Sequence, residues 1–353
     1  MSAKLFAPLK IRDLTFRNRI FVAPMCQYSA KDGVPNNWHL VHLGSRAVGG
    51  AALVIAEATS VTDIGRISPA DLGIWNDEQV EAFKPITAFI KDQGAIPGIQ
   101  LAHAGRKAST KIPWQGHGKV DSGGWTPVGP SNTPFSATYP IPRELSAAEV
   151  EQVVSDFVTA AHRAKEAGFQ VVEIHMAHGY LLHEFLSPIS NVRTDMYGGS
   201  LENRMRLPLK VAAAVRDAWP SGWPVFVRIS ATDWAESGGW DVEQSVVLAK
   251  ELKKIQIDMI DCSSGGTLER PVIPLGPGYQ VPFSARIRKE ANIATSAVGL
   301  ITTAKQSESI LENGEADAIS MARELLRDPY FPMHAAKELG AEIQWPSQYL
   351  RAK

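Results

Sequence analysis

Three neighbouring residues carry side chains able to polarise and then protonate a small molecule: His175, His178 and Tyr180, in the run His175-Met176-Ala177-His178-Gly179-Tyr180. Two imidazoles aimed at one point can donate two hydrogen bonds to a carbonyl or nitro oxygen and stabilise the negative charge that develops on it. A phenol of ordinary pKa, about 10, stays protonated at neutral pH and can deliver a proton. Imidazole is also the commonest metal ligand. That alternative needs a third ligand, and no H-E-x-x-H is present; the nearest acid, Glu184, follows His183 directly. A second H-x-x-H, His39 and His42 after Asn36-Asn37-Trp38, falls on a predicted helix, where packed or capping histidines are expected.

Chemistry of this kind needs a rigid frame, and eight short apolar runs supply its strands. They are Arg19–Pro24, Ala52–Ala56, Ala95–Leu101, Val171–His175, Pro224–Ile229, Asp258–Cys262, Ala294–Val298 and Ala316–Met321. Consecutive apolar positions bounded by turn residues are the pattern of buried parallel strands. Amphipathic stretches lie between them: Ser146–Ala167, with Ser146 as N-cap, Leu201–Ala218, Val242–Ile255 and Thr303–Asn313. Strand then helix, eight times, predicts a closed (β/α)8 TIM barrel as a single domain over 1–353; a doubly wound open sheet is the alternative. Leu5–Arg17 fits a short N-terminal β-hairpin plugging the barrel, or a plain surface hairpin. The long loop after strand 3, Arg106–Arg143, exceeds an ordinary connector and reads as a lid or a disordered segment, with Trp114, Trp125 and Phe135 favouring order.

The charge balance excludes some partners. Lys+Arg number 36 against 37 Asp+Glu, with no run of one sign, so no footprint for nucleic acid or an anionic membrane exists. The only cysteines, Cys26 and Cys262, make neither a disulfide framework nor a four-thiolate metal site. The N-terminus lacks a signal-peptide apolar core and no run is long enough to span a bilayer, so a cytoplasmic protein acting on small molecules is expected.

In a TIM barrel the site lies at the C-terminal strand ends. That filter selects Pro24, Met25, Cys26 and Tyr28 from the first strand, Ala58 and Thr59 from the second, Gln100 and His103 from the third, and His175, His178 and Tyr180 from the fourth. Arg228 ends the fifth, Gly299 follows the seventh, and Ala322 and Arg323 follow the eighth. An oxygen clamp plus a proton donor lacks a hydride source, and no G-x-G-x-x-G follows a strand to hold a dinucleotide. A flavin fits better: Arg323 and the backbone N–H groups near Gly299 and Ala322 suit the phosphate site that barrels often build after strands seven and eight. Arg228 would face the flavin pyrimidine and Gln100 its polar edge. Each has a plainer explanation, since a strand-end Arg can simply be an ion-pair partner.

From Leu5 to Arg351 these residues resemble the Old Yellow Enzyme family of FMN-dependent ene-reductases. The most specific stretch is Asn191–Arg204, which matches the family's N-x-R-x-D-x-Y-G-G-S-x-x-N-R block; its expected role is structural, with a Gly-Gly turn and Ser200 as N-cap. Cys26 in Pro24-Met25-Cys26-Gln27-Tyr28, with His-His in the clamp, is similar to the thermophilic-like subgroup. That resemblance implies tightly bound FMN with Cys26 against it, and NADPH, or less often NADH, as exchangeable hydride donor. It further implies activated alkenes as substrates, Tyr28 at the substrate, and no metal. It also implies a homodimer or homotetramer in which Arg351, within Gln348-Tyr349-Leu350-Arg351, reaches the neighbouring subunit's site. Cys262 is expected in the core. Ala322 departs from the family, whose members commonly carry Gly there.

Overall fold

A computed structural model describes residues 3–353. Eight parallel strands close into a barrel: β1 (Ile20–Val22), β2 (Leu53–Ser60), β3 (Ile96–Ala102), β4 (Val171–Met176), β5 (Val225–Ser230), β6 (Met259–Ser263), β7 (Ala294–Ala297) and β8 (Ala318–Met321). Each predicted run overlaps its strand: β1, β7 and β8 lie within theirs, β3 to β6 each extend one residue past the predicted end, and β2 extends four residues further, to Ser60. Closure comes from β8 pairing with β1, Ile319 opposite Ile20 and Met321 opposite Val22, which settles the barrel against the open sheet.

Helices follow the strands, and their starts obey local chemistry. Ser146 caps the helix Ala147–Glu166 by accepting from the Glu149 N–H, and the Glu149 carboxylate returns a bond to the Ser146 N–H at 2.9 Å. Ser200, Asp241 and Thr303 cap Leu201–Ala218, Val242–Lys254 and Ala304–Glu312 by accepting from the N–H groups of Asn203, Gln244 and Gln306, without the returning bond. The predicted helix carrying His39 and His42 is Asn37–Val48; His39 is a capping residue, its Nδ1 accepting from the Asn36 N–H at 3.0 Å.

The N-terminal hairpin pairs Leu9–Ile11 with Leu14–Phe16. Phe16 is fully buried against Phe21 and Phe226, ring centroids 5.1 and 6.4 Å away, and closes the N-terminal end of the barrel. With Val171 in that same apolar plug, the two-residue period of a strand sends Glu173 and His175 to the barrel interior above it. The interior thus grades from aromatic to polar along β4.

The loop after β3 is ordered. Trp125 Nε1 donates to the Ile64 carbonyl at 2.7 Å, and Val128–Gly129 pairs with Arg143–Glu144. Arg193 of the Asn191–Arg204 block ties the loop down, donating to the Pro130 and Leu145 carbonyls while it pairs with Asp195. Gly198 and Gly199 make the expected turn: a Cβ on Gly198 would meet the Arg193 carbonyl oxygen at 2.2 Å. No helix among the described residues is long and apolar enough to cross a membrane.

Candidate active site

β4 ends in the segment that carries the clamp. The His175 and His178 rings stand perpendicular with centroids 5.1 Å apart, and Tyr180 lies edge-on to His175 at 5.1 Å. His178 holds φ 60°, a costly conformation for a side chain with a Cβ, and Gly179 follows at φ 71°. The reason is a close backbone approach: a Cβ on Gly179 would sit 2.2 Å from the Gly266 carbonyl oxygen. The turn therefore packs main chain on main chain.

The hydrogen bonds of the two imidazoles distinguish their nitrogens. His175 Nδ1 accepts from the Ala177 N–H at 3.2 Å, so its proton resides on Nε2. His178 uses the other nitrogen, Nε2 lying 2.7 Å from Ser263 Oγ at the end of β6, while its backbone N–H donates to Ser230 Oγ at the end of β5. Burial, then the nearby Arg228, holds both imidazoles well below their usual pKa, so they are neutral. Burial, then Cys26, pushes the Tyr180 phenol well up, so it keeps its proton.

Residues outside the strand ends brace this turn. His183 Nδ1 accepts from the Gly179 N–H at 2.9 Å, and its Nε2 faces Asp233 Oδ1 at 3.1 Å, both side chains fully buried. Burial alone would raise the Asp233 pKa, but the bond and charge from His183 outweigh it and bring it down to about 2. Lys107, just past β3, donates to the His178 and Gly266 carbonyls and lies 5.1 Å from the Tyr180 ring centroid. Burial, then Arg106, lowers its pKa to about 8.

On the facing side, Pro24, Met25, Cys26 and Tyr28 run half-buried from β1. The Glu57 carboxylate accepts from the Gln27 N–H at 2.8 Å and lies 3.5 Å from His39 Nε2, fixing that segment. Glu57 is the extra residue of a β-bulge in β2, which brings Ala58 opposite Gln100. Burial, then Glu57, raises the Cys26 thiol well above its usual pKa. Tyr28 meets Trp114 of the lid edge-on at 5.8 Å. Thr59 is buried, its hydroxyl donating to the Glu57 carbonyl, and buried His103 accepts from the Gly105 N–H. Those two serve the scaffold.

Arg228 is buried at the heart of the barrel, its Nε without a partner and its Nη1 3.5 Å from Asp261 Oδ2. Gln100 donates to Glu173 Oε1 at 2.7 Å. Beside them, Gly299, Ala322 and Arg323 line a cavity of about 240 Å³ that also touches Ser263. Gly299 must be glycine: its φ is 119°, and a Cβ would meet Gln280 Nε2 at 2.6 Å. Ala322, at φ −109°, needs no glycine. Cys262 is core. Among the described residues no three His, Cys, Asp or Glu side chains gather as a metal site would require.

Arg351 alone lies apart. It is exposed in the short helix Ser347–Ala352, and the preceding Gln344–Gln348 runs beside Arg17 and Lys91, at the opposite end of the barrel. Sequence reasoning missed Lys107, Ser230, Ser263, His183 and Asp233. The two serines carried a signal: each is one residue beyond a predicted strand, on the inward phase.

Residues 4–342 match the NADH:flavin oxidoreductase / NADH oxidase family. The chain is 49% identical over 353 residues to an NADPH dehydrogenase of Geobacillus sp. (strain WCH70), covering 99% of each chain. To an NADPH dehydrogenase of Bacillus subtilis (strain 168) it is 48% identical, again over 99% of each. Among solved structures it is similar to morphinone reductase (TM-score 0.81, 28% identity, 98% of this chain and 92% of that one). An old yellow enzyme homologue from Zymomonas mobilis is similar too (TM-score 0.78, 29% identity, 97% and 94%). The chain belongs to the NADH:flavin oxidoreductase / NADH oxidase family, the Old Yellow Enzyme family of FMN-dependent oxidoreductases.

Proposed function

We propose that the protein is an ene-reductase, which takes reducing equivalents from NADPH or NADH and reduces the C=C bond of activated alkenes. The substrate class is α,β-unsaturated aldehydes and ketones, maleimides or nitroalkenes. The residues present fit FMN: Arg228 has an unpaired buried Nε to offer the ring system, Gln100 lies next to it, and the cavity at Gly299 and Arg323 suits the phosphate. When bound, FMN supplies the hydride for the alkene's β-carbon.

The chain's own residues then have separate duties. His175 Nε2 and His178 Nδ1, the nitrogens their neighbours leave unoccupied, hold the activating oxygen. Both rings being neutral, they donate without surrendering a proton. Tyr180 gives its phenolic proton to the α-carbon. Lys107 beside that ring stabilises the negative charge left on it. Pro24, Met25, Cys26 and Ala58 form the wall against the flavin, and Tyr28 faces the substrate. The same reading assigns Arg351 to the neighbouring subunit's site in a homodimer or homotetramer.

The observation that carries this reading is the pair of neutral imidazoles with complementary free nitrogens beside a protonated phenol. An anaerobic stopped-flow study tests it, reducing the flavin with NADPH and reoxidising it with cyclohexenone. Tyr180→Phe should slow the second step by roughly 10²–10⁴, the usual contribution of a positioned acid, and leave the first nearly intact. Equal loss in both steps would refute the assignment.

A further inference from the structure

Beneath the histidine clamp, β4, β5 and β6 bring two acids and one base into the barrel interior: Glu173, Arg228 and Asp261. Asp261 is in register with Arg228, and Arg228 with His175. Glu173 is fully buried and Asp261 is 1% exposed. Glu173 Oε1 accepts from Gln100, whereas Glu173 Oε2 has no hydrogen-bond partner and neither Asp261 oxygen has one at good geometry, Ser320 near Asp261 being the closest donor. Among the described residues the one cation paired with either acid, Arg228, stands 3.5 Å from Asp261 Oδ2, beyond a good hydrogen bond. The other strands bring no compensating charge: β3 supplies Gln100, and β7 and β8 supply Ser296 and Ser320, bonded to each other at 2.6 Å. His175 above is neutral.

Two ionised carboxylates against one guanidinium in this setting would leave a net buried charge and acceptor oxygens poorly matched to donors. A proton on either acid removes the charge and creates an O–H donor. We infer that Glu173 and Asp261 hold one proton between them, so that the set with Arg228 is neutral and this pair, acting through Arg228, fixes how strongly the site favours the reduced flavin. The directions of titration agree. Burial raises both acids, and Asp261 raises Glu173 further, while Arg228 pulls Asp261 back. Both acids are positioning residues, since neither is assigned a contact with substrate. The inference rests on the FMN reading above only for its consequence, because the shared proton is a property of the chain alone.

Charge counting makes the test sharp. With one shared proton, Glu173→Gln leaves Asp261 ionised and Asp261→Asn leaves Glu173 ionised, so each single variant keeps the set neutral. The double variant leaves Arg228 with an uncompensated positive charge. The ratio of affinities for reduced over oxidised FMN, read from the bound flavin's midpoint potential, should stay within about threefold in each single variant. In the double variant it should rise by roughly tenfold or more, about 30 mV for a two-electron couple. In the infrared difference spectrum between the flavin-free wild-type protein and either single variant, a protonated-carboxyl band that shifts in D₂O should be lost; Glu184 and Asp71, which burial raises to about 8 and about 7, contribute equally to both spectra and cancel.

Single variants that each raise the ratio tenfold would mean that both acids are ionised, and overturn the inference. A double variant with an unchanged ratio would overturn it too. If one single variant fails to fold, the difference spectrum of the other decides, an unchanged protonated-carboxyl band being fatal, as is the absence of any such band from the wild type. If the protein binds no FMN, the cofactor reading fails on its own, and the infrared result still stands or falls separately.

Discussion

Removing one hydroxyl, in Ser263→Ala, isolates the tautomer on which the clamp depends. His178 Nε2 sits 2.7 Å from Ser263 Oγ, and a hydroxyl donating to it places the imidazole proton on Nδ1, toward the substrate oxygen. A neutral hydrogen bond of this kind contributes a net of about 0.5–1.5 kcal/mol. Losing that bias lets His178 populate the wrong tautomer: with RT near 0.59 kcal/mol the ratio of productive to unproductive tautomer falls by roughly 2- to 13-fold, and the rate by up to that factor. Deleting the donor outright, in His178→Ala, should cost about 10²–10³. The reoxidation rate with cyclohexenone in anaerobic stopped-flow measures both effects, and ¹⁵N shifts of labelled histidine report the tautomer directly. Ser263→Thr, which keeps the hydroxyl, should restore the rate. A Ser263→Ala enzyme whose His178 still carries its proton on Nδ1 and which reoxidises at the wild-type rate would refute the reasoning.

Gly299→Ala should weaken FMN retention on a desalting column and lower stability by about 1–3 kcal/mol, because its φ of 119° and the Gln280 side chain at 2.6 Å both exclude a Cβ; Ala322→Gly should leave retention within about twofold, and strong tightening would show that Ala322 does distort the phosphate site. Asp233→Asn should flatten the acid limb of stability. The folded-state pKa of Asp233 is depressed, to about 2, so its contribution is fully present above the unfolded value near 4 and is lost as pH falls toward 2. That contribution is about 2 kcal/mol by linkage, and urea midpoints at pH 2–5 that fall equally steeply in both proteins would contradict it. Arg351→Ala should raise KM for cyclohexenone while leaving flavin content unchanged; an unaltered KM would remove Arg351 from the substrate site.

The fold was legible because burial is periodic and its punctuation is chemical. Every strand is almost wholly buried and apolar at most of its positions, and the caps at Ser146, Ser200 and Thr303 begin helices within a residue of the expected point. Closure was less visible. It depends on β1 and β8, only three and four residues long, meeting across the full length of the chain, and no local pattern encodes a contact between segments some 300 residues apart. The strand count, not the sequence of either strand, carried that inference.

The site was legible where a side chain acts for itself and obscure where it acts through another. His175, His178 and Tyr180 announce their chemistry by type and spacing. Ser230 and Ser263 do not, because a serine at a strand end acquires meaning only when a ring nitrogen or N–H from β4 arrives within 3 Å. His183 and Asp233 lie fifty residues apart, and their pairing is imposed by the β4 and β5 ends being neighbours in the barrel. The strain at His178 explains why such bracing is needed. A residue held at φ 60° persists only if its surroundings over-determine it. Here the Gly179 N–H is taken by His183, the His178 N–H by Ser230, the His178 carbonyl by Lys107, and the turn's open face by Gly266. Three neighbouring strand ends and the helix Leu181–Leu186 that follows thus fix one turn, and the direction of the His178 donor follows from their agreement. A scaffold that held His178 by its own propensity alone would relax it out of the left-handed region and turn the donor away from the oxygen it is proposed to hold.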